Sequence, residues 1–371
     1  MFKYLLGSIL AFAIAVFPPS AAAKKSQRAT ATHTKKHAAA KVRHKRTLAA
    51  APRARGRHIA ARHGVVHQAA ADRAVVRRVI RVHGRRKAVY EHVLARNVVA
   101  PAAAAYTSSA GDRAGLNLTR DALSLKSNVA FVIDQNNSEV LFEKNSNIAL
   151  PIASITKLMT GLIVVQAKQD MNEIITVTED DVDHEKFTRS RLAVGSRMTR
   201  ANLLHIALMS SENRAAAALG RNFPGGVAGF VSAMNAKAHE LGMTDTHYVD
   251  SSGLSSKNVA SARDLAKLAM VAYHEPLLRE YSTDPKSTVD AGGRMMNYHN
   301  TNYLVAMPDW EIGLQKTGFI NEAGRCLVMQ TIIQGRAVIM VFLDSKGKQS
   351  RTADAGRMRR WLEAIKPPGL S

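Results

Sequence analysis

Pro151-Ile152-Ala153-Ser154-Ile155-Thr156-Lys157-Leu158-Met159-Thr160 sets a serine at the head of a stretch whose apolar residues, Ile155, Leu158, Met159, Leu162 and Ile163, recur three and four apart. That spacing predicts a helix. A lysine three residues on lies one turn further along, so Ser154 and Lys157 share a face. A serine hydroxyl is a weak nucleophile until a base takes its proton, and a lysine takes it when burial or nearby positive charge lowers its pKa. The helix N-terminus adds positive potential and favours negative charge developing on the serine oxygen. Ser154 and Lys157 are therefore candidate nucleophile and general base. A helix cap followed by a surface lysine has the same spacing, and Ser345-Lys346-Gly347-Lys348 repeats it in what reads as a basic loop after a strand.

Outward from this helix, Val129-Ala130-Phe131-Val132-Ile133-Asp134 and Glu139-Val140-Leu141-Phe142-Glu143 flank an Asn-rich turn and read as a hairpin. Residues 326–333 and 337–343 flank Gln334-Gly335-Arg336 and read as a second one. Between them, Leu203, Leu204, Ala207, Leu208 and Leu265, Leu268, Ala269 carry helical periodicity, and a last helix is predicted from Thr352 to Ile365 with Met358, Trp361 and Leu362 inward. Strands near both ends with helices between predict an α/β (α+β) domain whose antiparallel sheet joins the two ends of the chain. Periodicity leaves the strand order open.

The charge is concentrated at one end. Of 371 residues, 52 are Lys or Arg and 29 Asp or Glu, a net +23; residues 24–115 hold 22 basic and three acidic residues, which leaves +3 for residues 116–371. Residues 116–371 thus have the charge balance and length of an ordinary globular domain, and a wholly disordered or fibrous protein is excluded. The arm, residues 24–115, is low in complexity and poor in large apolar residues, and is expected to be largely disordered; within it 75–82 is the stretch best able to order on a surface. Such an arm can hold an anionic wall polymer or lipid headgroups, or serve as a solvated spacer. Its two tyrosines, Tyr90 and Tyr106, make no stacking surface, and nucleic acid is not expected. Lys3, the apolar run 4–17 and Ala21-Ala22-Ala23 predict a signal peptide over residues 1–23. The rival is an uncleaved anchor, for which the run is shorter than the ~20 residues of a spanning helix. Export to the periplasm of a Gram-negative type envelope is expected, with the protein soluble or peripherally associated with membrane or wall. A lone cysteine, Cys326, excludes an intrachain disulfide framework and reads as a buried small hydrophobe.

Two further motifs change the weight of Ser154 and Lys157. Ser211-Glu212-Asn213 closes an apolar helical run, and Lys316-Thr317-Gly318 stands just before the terminal hairpin. Ser256-Lys257-Asn258 repeats the Ser-x-Asn pattern inside a polar loop and reads as turn chemistry. Ser-x-x-Lys, Ser-x-Asn and Lys-Thr-Gly, in that order, are shared by penicillin-binding proteins and class A β-lactamases. The chain resembles the low-molecular-mass penicillin-binding proteins of the D-alanyl-D-alanine carboxypeptidase and endopeptidase family, over about residues 120–366. The segments that carry the resemblance include 151–160, 209–216, Leu241-Gly242-Met243, Gly253-Leu254-Ser255 and Ala262-Arg263-Asp264-Leu265. Glu212 replaces the aspartate of Ser-Asp-Asn, a position that varies in the family.

The resemblance implies a transpeptidase-like fold and a serine DD-peptidase acting on peptidoglycan stem peptides and cross-links, with β-lactams as covalent inhibitors. It implies that Ser154 attacks a D-alanyl carbonyl while Lys157 accepts its proton, helped by the charge of Lys316. Ser211 relays a proton to the leaving amine, and Asn213 holds substrate and Lys157. Lys316 and Thr317 read the carboxylate beside the scissile nitrogen, Gly318 admits substrate against an edge strand, and the N–H groups of Ser154 and Phe319 form the oxyanion hole. No metal or other cofactor is required. Only 55 residues follow Lys316, which leaves no room for a C-terminal β-domain and favours an endopeptidase over a carboxypeptidase. A class A β-lactamase is disfavoured because Glu173, Glu179 and Glu185 all lack the Glu-x-x-Leu-Asn context. A non-catalytic wall-binding module is the remaining alternative, against which the intact Ser154, Lys157, Ser211 and Lys316 count.

Overall fold

The computed structural model describes residues 108–365 and, before them, the backbone of two strands, Arg73–Val82 and Arg85–Leu94. The expected signal peptide and most of the arm lie outside the described residues. The two early strands pair antiparallel, with Arg77 opposite Tyr90, and belong to a separate unit ending at Arg96. The expected stretch 75–82 is one of these strands.

In the second unit the sheet has five strands: β1 (Ser127–Asp134), β2 (Val140–Lys144), β3 (Glu311–Ile320), β4 (Gly324–Ile333) and β5 (Arg336–Ser345). Their spatial order is β3-β4-β5-β1-β2, every pair antiparallel. The first and last hairpins of the domain thus meet at β1 and β5, where Phe131 stands opposite Val341. Side chains alternate across these central strands. Phe131, Ile133, Ile339 and Val341 enter the larger core with the helices; Ala130, Val132, Met340 and Phe342 enter a smaller one beneath the C-terminal helix. Burial on both faces is why these strands read as near-continuous apolar runs.

Among the described residues the longer helices are α1 (Thr156–Gln166), α2 (Arg200–Met209), α3 (Asn213–Arg221), α4 (Gly226–Glu240), α5 (Ala262–Tyr273), α6 (Pro276–Thr283) and α7 (Ser350–Ala364). The four expected from the sequence are present as α1, α2, α5 and α7; α3, α4 and α6 are additional to that expectation. In α7, Met358 and Leu362 are buried and Trp361 packs edge-on to Phe142 at 5.9 Å. Cys326 is fully buried, and burial pushes its thiol up to about 12.

The ordered domain starts earlier than residue 116. A helical turn, Ala110–Arg113, is capped by Ser109, whose Oγ donates to Asp344 Oδ2 at 2.7 Å. Asn128 Nδ2 donates to the same oxygen at 2.8 Å, and Lys346 pairs with Asp112 at 2.5 Å. Composition places this turn with the arm, but buried polar groups at the far end of β5 hold it to the domain.

Candidate active site

Three elements converge where the sheet edge meets the helical layer. Residues Ala153–Ile155 form a single 3-10 turn that leads into α1, so Ser154 sits in that tighter turn rather than on the α-helix itself. Thr156 Oγ1 donates back to the Ala153 carbonyl at 2.8 Å, and Ala153 has a left-handed φ of 49°. Lys157, on the first turn of α1, is fully buried, with its Nζ 3.0 Å from Ser154 Oγ. The same nitrogen lies 2.8 Å from Asn213 Oδ1 and 2.6 Å from the Ser252 carbonyl. Burial lowers the Lys157 pKa to about 7, against the Asp250 and Glu212 carboxylates, which favour its charged form. Burial, one of the two causes expected from the sequence, is the largest.

Ser211 lies on the short connection from α2 to α3, and Asn213 is the first residue of α3. Ser211 has a left-handed φ of 61°, a conformation that costs a residue with a Cβ and is found where surroundings over-determine the backbone. Ser210 Oγ donates to the His299 carbonyl at 2.5 Å, and Ser190 Oγ donates to Glu212 Oε1 at 2.6 Å, fixing this turn from both sides. Asn213 Nδ2 donates to Thr188 Oγ1 at 3.0 Å, which orients its carbonyl toward Lys157.

Lys316, Thr317, Gly318 and Phe319 lie on β3, the sheet's edge strand, so one side of its backbone is free of strand partners. Lys316 Nζ is fully buried and lies 3.0 Å from Ser211 Oγ and 2.9 Å from the Thr317 carbonyl. Burial, then repulsion from Lys157 and Arg351, hold its pKa well below the usual lysine range. Two amines in one buried pocket cannot both hold a proton cheaply, a coupling that suits proton exchange through Ser211. A Cβ on Gly318 would stand 2.8 Å from the Ile152 carbonyl and 3.1 Å from the Ser154 nitrogen, so only glycine lets β3 approach the nucleophile's turn this closely. Phe319 is 49% exposed, with the Arg325 guanidinium 4.5 Å from its ring centre.

The fold thus gathers every residue that the three motifs single out, joining Ser154, Lys157 and Asn213 in one hydrogen-bonded set and Lys316 and Ser211 in another. Four further participants lie outside the three motifs. Ser252 offers its carbonyl to Lys157 from a turn knotted by Asp250, which accepts N–H bonds from Ser252, Gly253 and Ser255. Gly253, with φ of 80°, backs directly onto the Ala153 carbonyl. Thr301 Oγ1 lies 2.6 Å from Thr317 Oγ1, and Arg351 Nη1 donates to the Gly318 carbonyl at 3.1 Å. Asn258 accepts from the N–H groups of Val249 and Asp250 at 2.7 and 3.2 Å, which makes the second Ser-x-Asn turn chemistry.

A serine beside a buried amine, with a second lysine and serine at its flank, defines a hydrolase that transfers acyl groups through the serine. Residues 117–347 match the family described as D-alanyl-D-alanine carboxypeptidase, peptidase family S11, and the chain belongs to that family of serine DD-peptidases. Over 265 residues it is 47% identical to the D-alanyl-D-alanine endopeptidase of Pseudomonas aeruginosa, covering 70% of this chain and 84% of that one. Over 269 residues it is 40% identical to the D-alanyl-D-alanine endopeptidase of Escherichia coli, covering 72% and 84%. The D-alanyl-D-alanine carboxypeptidase DacF of Bacillus subtilis is 29% identical over 245 residues, covering 62% and 60%. Among solved structures, the D-alanyl-D-alanine carboxypeptidase of Mycobacterium tuberculosis superposes with a TM-score of 0.60 at 25% identity, covering 65% of this chain and 92% of that one. Penicillin-binding protein D2 of Listeria monocytogenes in its cefotaxime-bound form gives 0.59 at 29% identity, covering 65% and 98%.

Proposed function

We propose that this peptidase is a DD-endopeptidase that cuts D-alanyl to diaminopimelyl cross-links of peptidoglycan through an acyl-enzyme on Ser154. The observation that carries this reading is the 3.0 Å approach of a fully buried lysine, with pKa about 7, to the serine oxygen. About half of such amines are neutral at pH 7 and ready to take a proton.

Ser154 Oγ gives its proton to Lys157 Nζ and bonds to the D-alanyl carbonyl carbon. The N–H groups of Ser154 and Phe319 hold the oxyanion, an interaction typically worth about 3 kcal/mol per donor. The C–N bond then breaks, and the leaving amine receives a proton through Ser211, supplied from the lysine pair. Water, deprotonated by Lys157, attacks the ester carbonyl and frees Ser154. Lys316 and the Thr317 hydroxyl read the carboxylate beside the scissile nitrogen, Asn213 holds the substrate amide, and Gly318 gives the peptide room against β3. β-Lactams, which place a carboxylate beside a strained amide, acylate Ser154 and leave slowly.

The relatives at 47% and 40% identity carry the endopeptidase name and DacF, at 29%, the carboxypeptidase name, which favours cross-links as the substrate. The same pocket serves carboxypeptidase action, since both substrates have a D-centre carboxylate beside the cleaved nitrogen. Residues 1–23 direct export to the periplasm, and the basic arm holds the enzyme to anionic wall polymer or lipid headgroups. Deletion of residues 24–115 should abolish salt-sensitive association with isolated cell walls; unchanged association refutes that role for the arm.

The test incubates the protein with purified cross-linked muropeptide dimers and with monomeric pentapeptide, beside Ser154→Ala, and follows products by mass. Dimer loss with little alanine release supports the endopeptidase. Alanine release without dimer cleavage makes the enzyme a carboxypeptidase, and no product from either leaves a wall-binding module.

A further inference from the structure

Past Ser211 the cleft continues into a recess of about 400 Å³ lined by Arg189, Arg191, Ser211, Asn213, Tyr298 and His299, among others. Arg191 is held in place there: its Nη1 donates to the Asn297 carbonyl at 2.7 Å, and its guanidinium lies 4.2 Å from the Tyr298 ring centre. Arg189 is exposed, and among the described residues neither arginine pairs with a carboxylate. Glu212 lines the same recess but is turned to Ser190 and nine-tenths buried, which leaves the two guanidiniums as its exposed formal charges.

The segment that carries them is built to hold still. Asp183 accepts N–H bonds from Glu185, Lys186 and Thr188 at 2.9, 2.8 and 2.7 Å. Lys186 reaches across to Glu322, after β3, at 2.6 Å, and Thr188 takes the Asn213 amide. The loop is therefore tied to both walls of the active site, and cations presented from it lose little freedom when a ligand arrives.

We propose that Arg189 and Arg191 form a carboxylate-reading subsite for the leaving peptide, and so select cross-links over single stems. The inference rests on the endopeptidase reading above. Ser211, which delivers the proton to the leaving amine, is itself part of the recess lining, so a chain extending from that amine has this recess beside it. The carboxylate beside the scissile nitrogen is already taken by Lys316 and Thr317. A departing D-alanine has no other. A departing acidic stem peptide has more, and a planar guanidinium fork is the natural receptor for them.

The test compares the full-length protein with Arg189→Gln, Arg191→Gln and the double variant on two substrates. One is the cross-linked dimer with free carboxylates; the other is the same dimer amidated on the leaving stem away from the cleaved bond. The double variant should raise KM for the free-acid dimer about tenfold while kcat stays within about twofold, the scale of two solvent-exposed charge pairs. Amidation should raise the parent KM by a similar factor and that of the double variant hardly at all. An unchanged KM in the double variant, or an amidation effect equal to the parent's, overturns the subsite. Arg191 also packs on Tyr298, so thermal unfolding of each variant and the result for Arg189→Gln alone separate lost recognition from lost structure. A parent protein that cuts pentapeptide but no dimer overturns the endopeptidase reading and the subsite with it. Dimer cleavage indifferent to both charge changes overturns the subsite alone.

Discussion

Gly253→Ala tests how the nucleophile is held, at a residue that touches no substrate. The added Cβ would stand 2.0 Å from the Ala153 carbonyl oxygen, 2.4 Å from its carbon and 2.9 Å from Thr156 Oγ1. Ordinary contact begins near 3.4 Å, so one side must retreat by more than 1 Å. Either the turn carrying the Ser252 carbonyl moves off Lys157, or the Ala153–Ile155 turn carries Ser154 away from its base. A misplacement of about 1 Å costs on the order of 10²-fold in rate, and that loss is expected in acylation by a fluorescent penicillin. The left-handed φ of 80° adds about 1–2 kcal/mol of conformational strain, or roughly 2–8 °C in Tm for a domain of this size. Gly335→Ala isolates that second cost, because Gly335 has a φ of 76° and nothing within 4 Å of its added Cβ. It should lose thermal stability and keep its acylation rate. If Gly253→Ala acylates within about threefold of Gly335→Ala, the backbone of this turn does not set the geometry of Ser154.

Two further outcomes follow from the titrating groups. The base must be neutral, so acylation should fall about tenfold per pH unit below a midpoint near 7, as Lys157 gains its proton. A rate constant between pH 5 and 8 refutes Lys157 as the base. Asp344 is buried, has one oxygen without a partner among the described residues, and burial raises its pKa above the ordinary 3.8. Its ionised form is therefore a cost at neutral pH that disappears as pH falls through its raised folded value. Asp344→Asn, which tolerates the left-handed φ of 51°, should raise Tm at pH 8 and raise it less at pH 4; a gain that grows with acidity is the wrong sign.

The parts of this fold legible in the sequence are those where a local pattern and its environment agree. Strands β1, β4 and β5 are apolar because both faces are covered. Helix α1, buried from Thr156 to Val164, shows its periodicity because Lys157 and Thr160 turn to the Ser252 and Ser251 carbonyls while Leu158, Met159, Leu162 and Ile163 enter the core. Strand β3 escapes pattern reading. Gln315, Lys316 and Thr317 are polar and yet buried, since that strand forms a wall of the cleft as well as an edge of the sheet. Only the Lys-Thr-Gly motif marks it. The motifs name Ser154, Lys157, Ser211, Asn213 and Lys316 but not what sets their geometry. Ser252, Thr301 and Arg351 arrive from 95 residues beyond Lys157, 16 before Thr317 and 33 beyond Gly318, and their roles come from packing. The turn at Ala110–Arg113 was illegible for the same reason: small residues at one end of the domain, ordered by an aspartate at the other.

The pairing of β1 with β5 makes this enzyme's assembly all or nothing. A ribosome delivers Ser154 and Lys157 long before it delivers the strand that β1 must pair with: about 200 residues separate Asp134 from Arg336, or roughly 10–40 s at 5–20 residues per second. Through that interval the central strand of the sheet lacks β5 on one side, and until Gly318 emerges the nucleophile has no Lys-Thr-Gly wall to face. A chain cut short before β5 keeps the reactive serine and the Lys-Thr-Gly strand but lacks the strand that joins β3-β4 to β1-β2, so the two parts of the sheet meet only when β5 is complete.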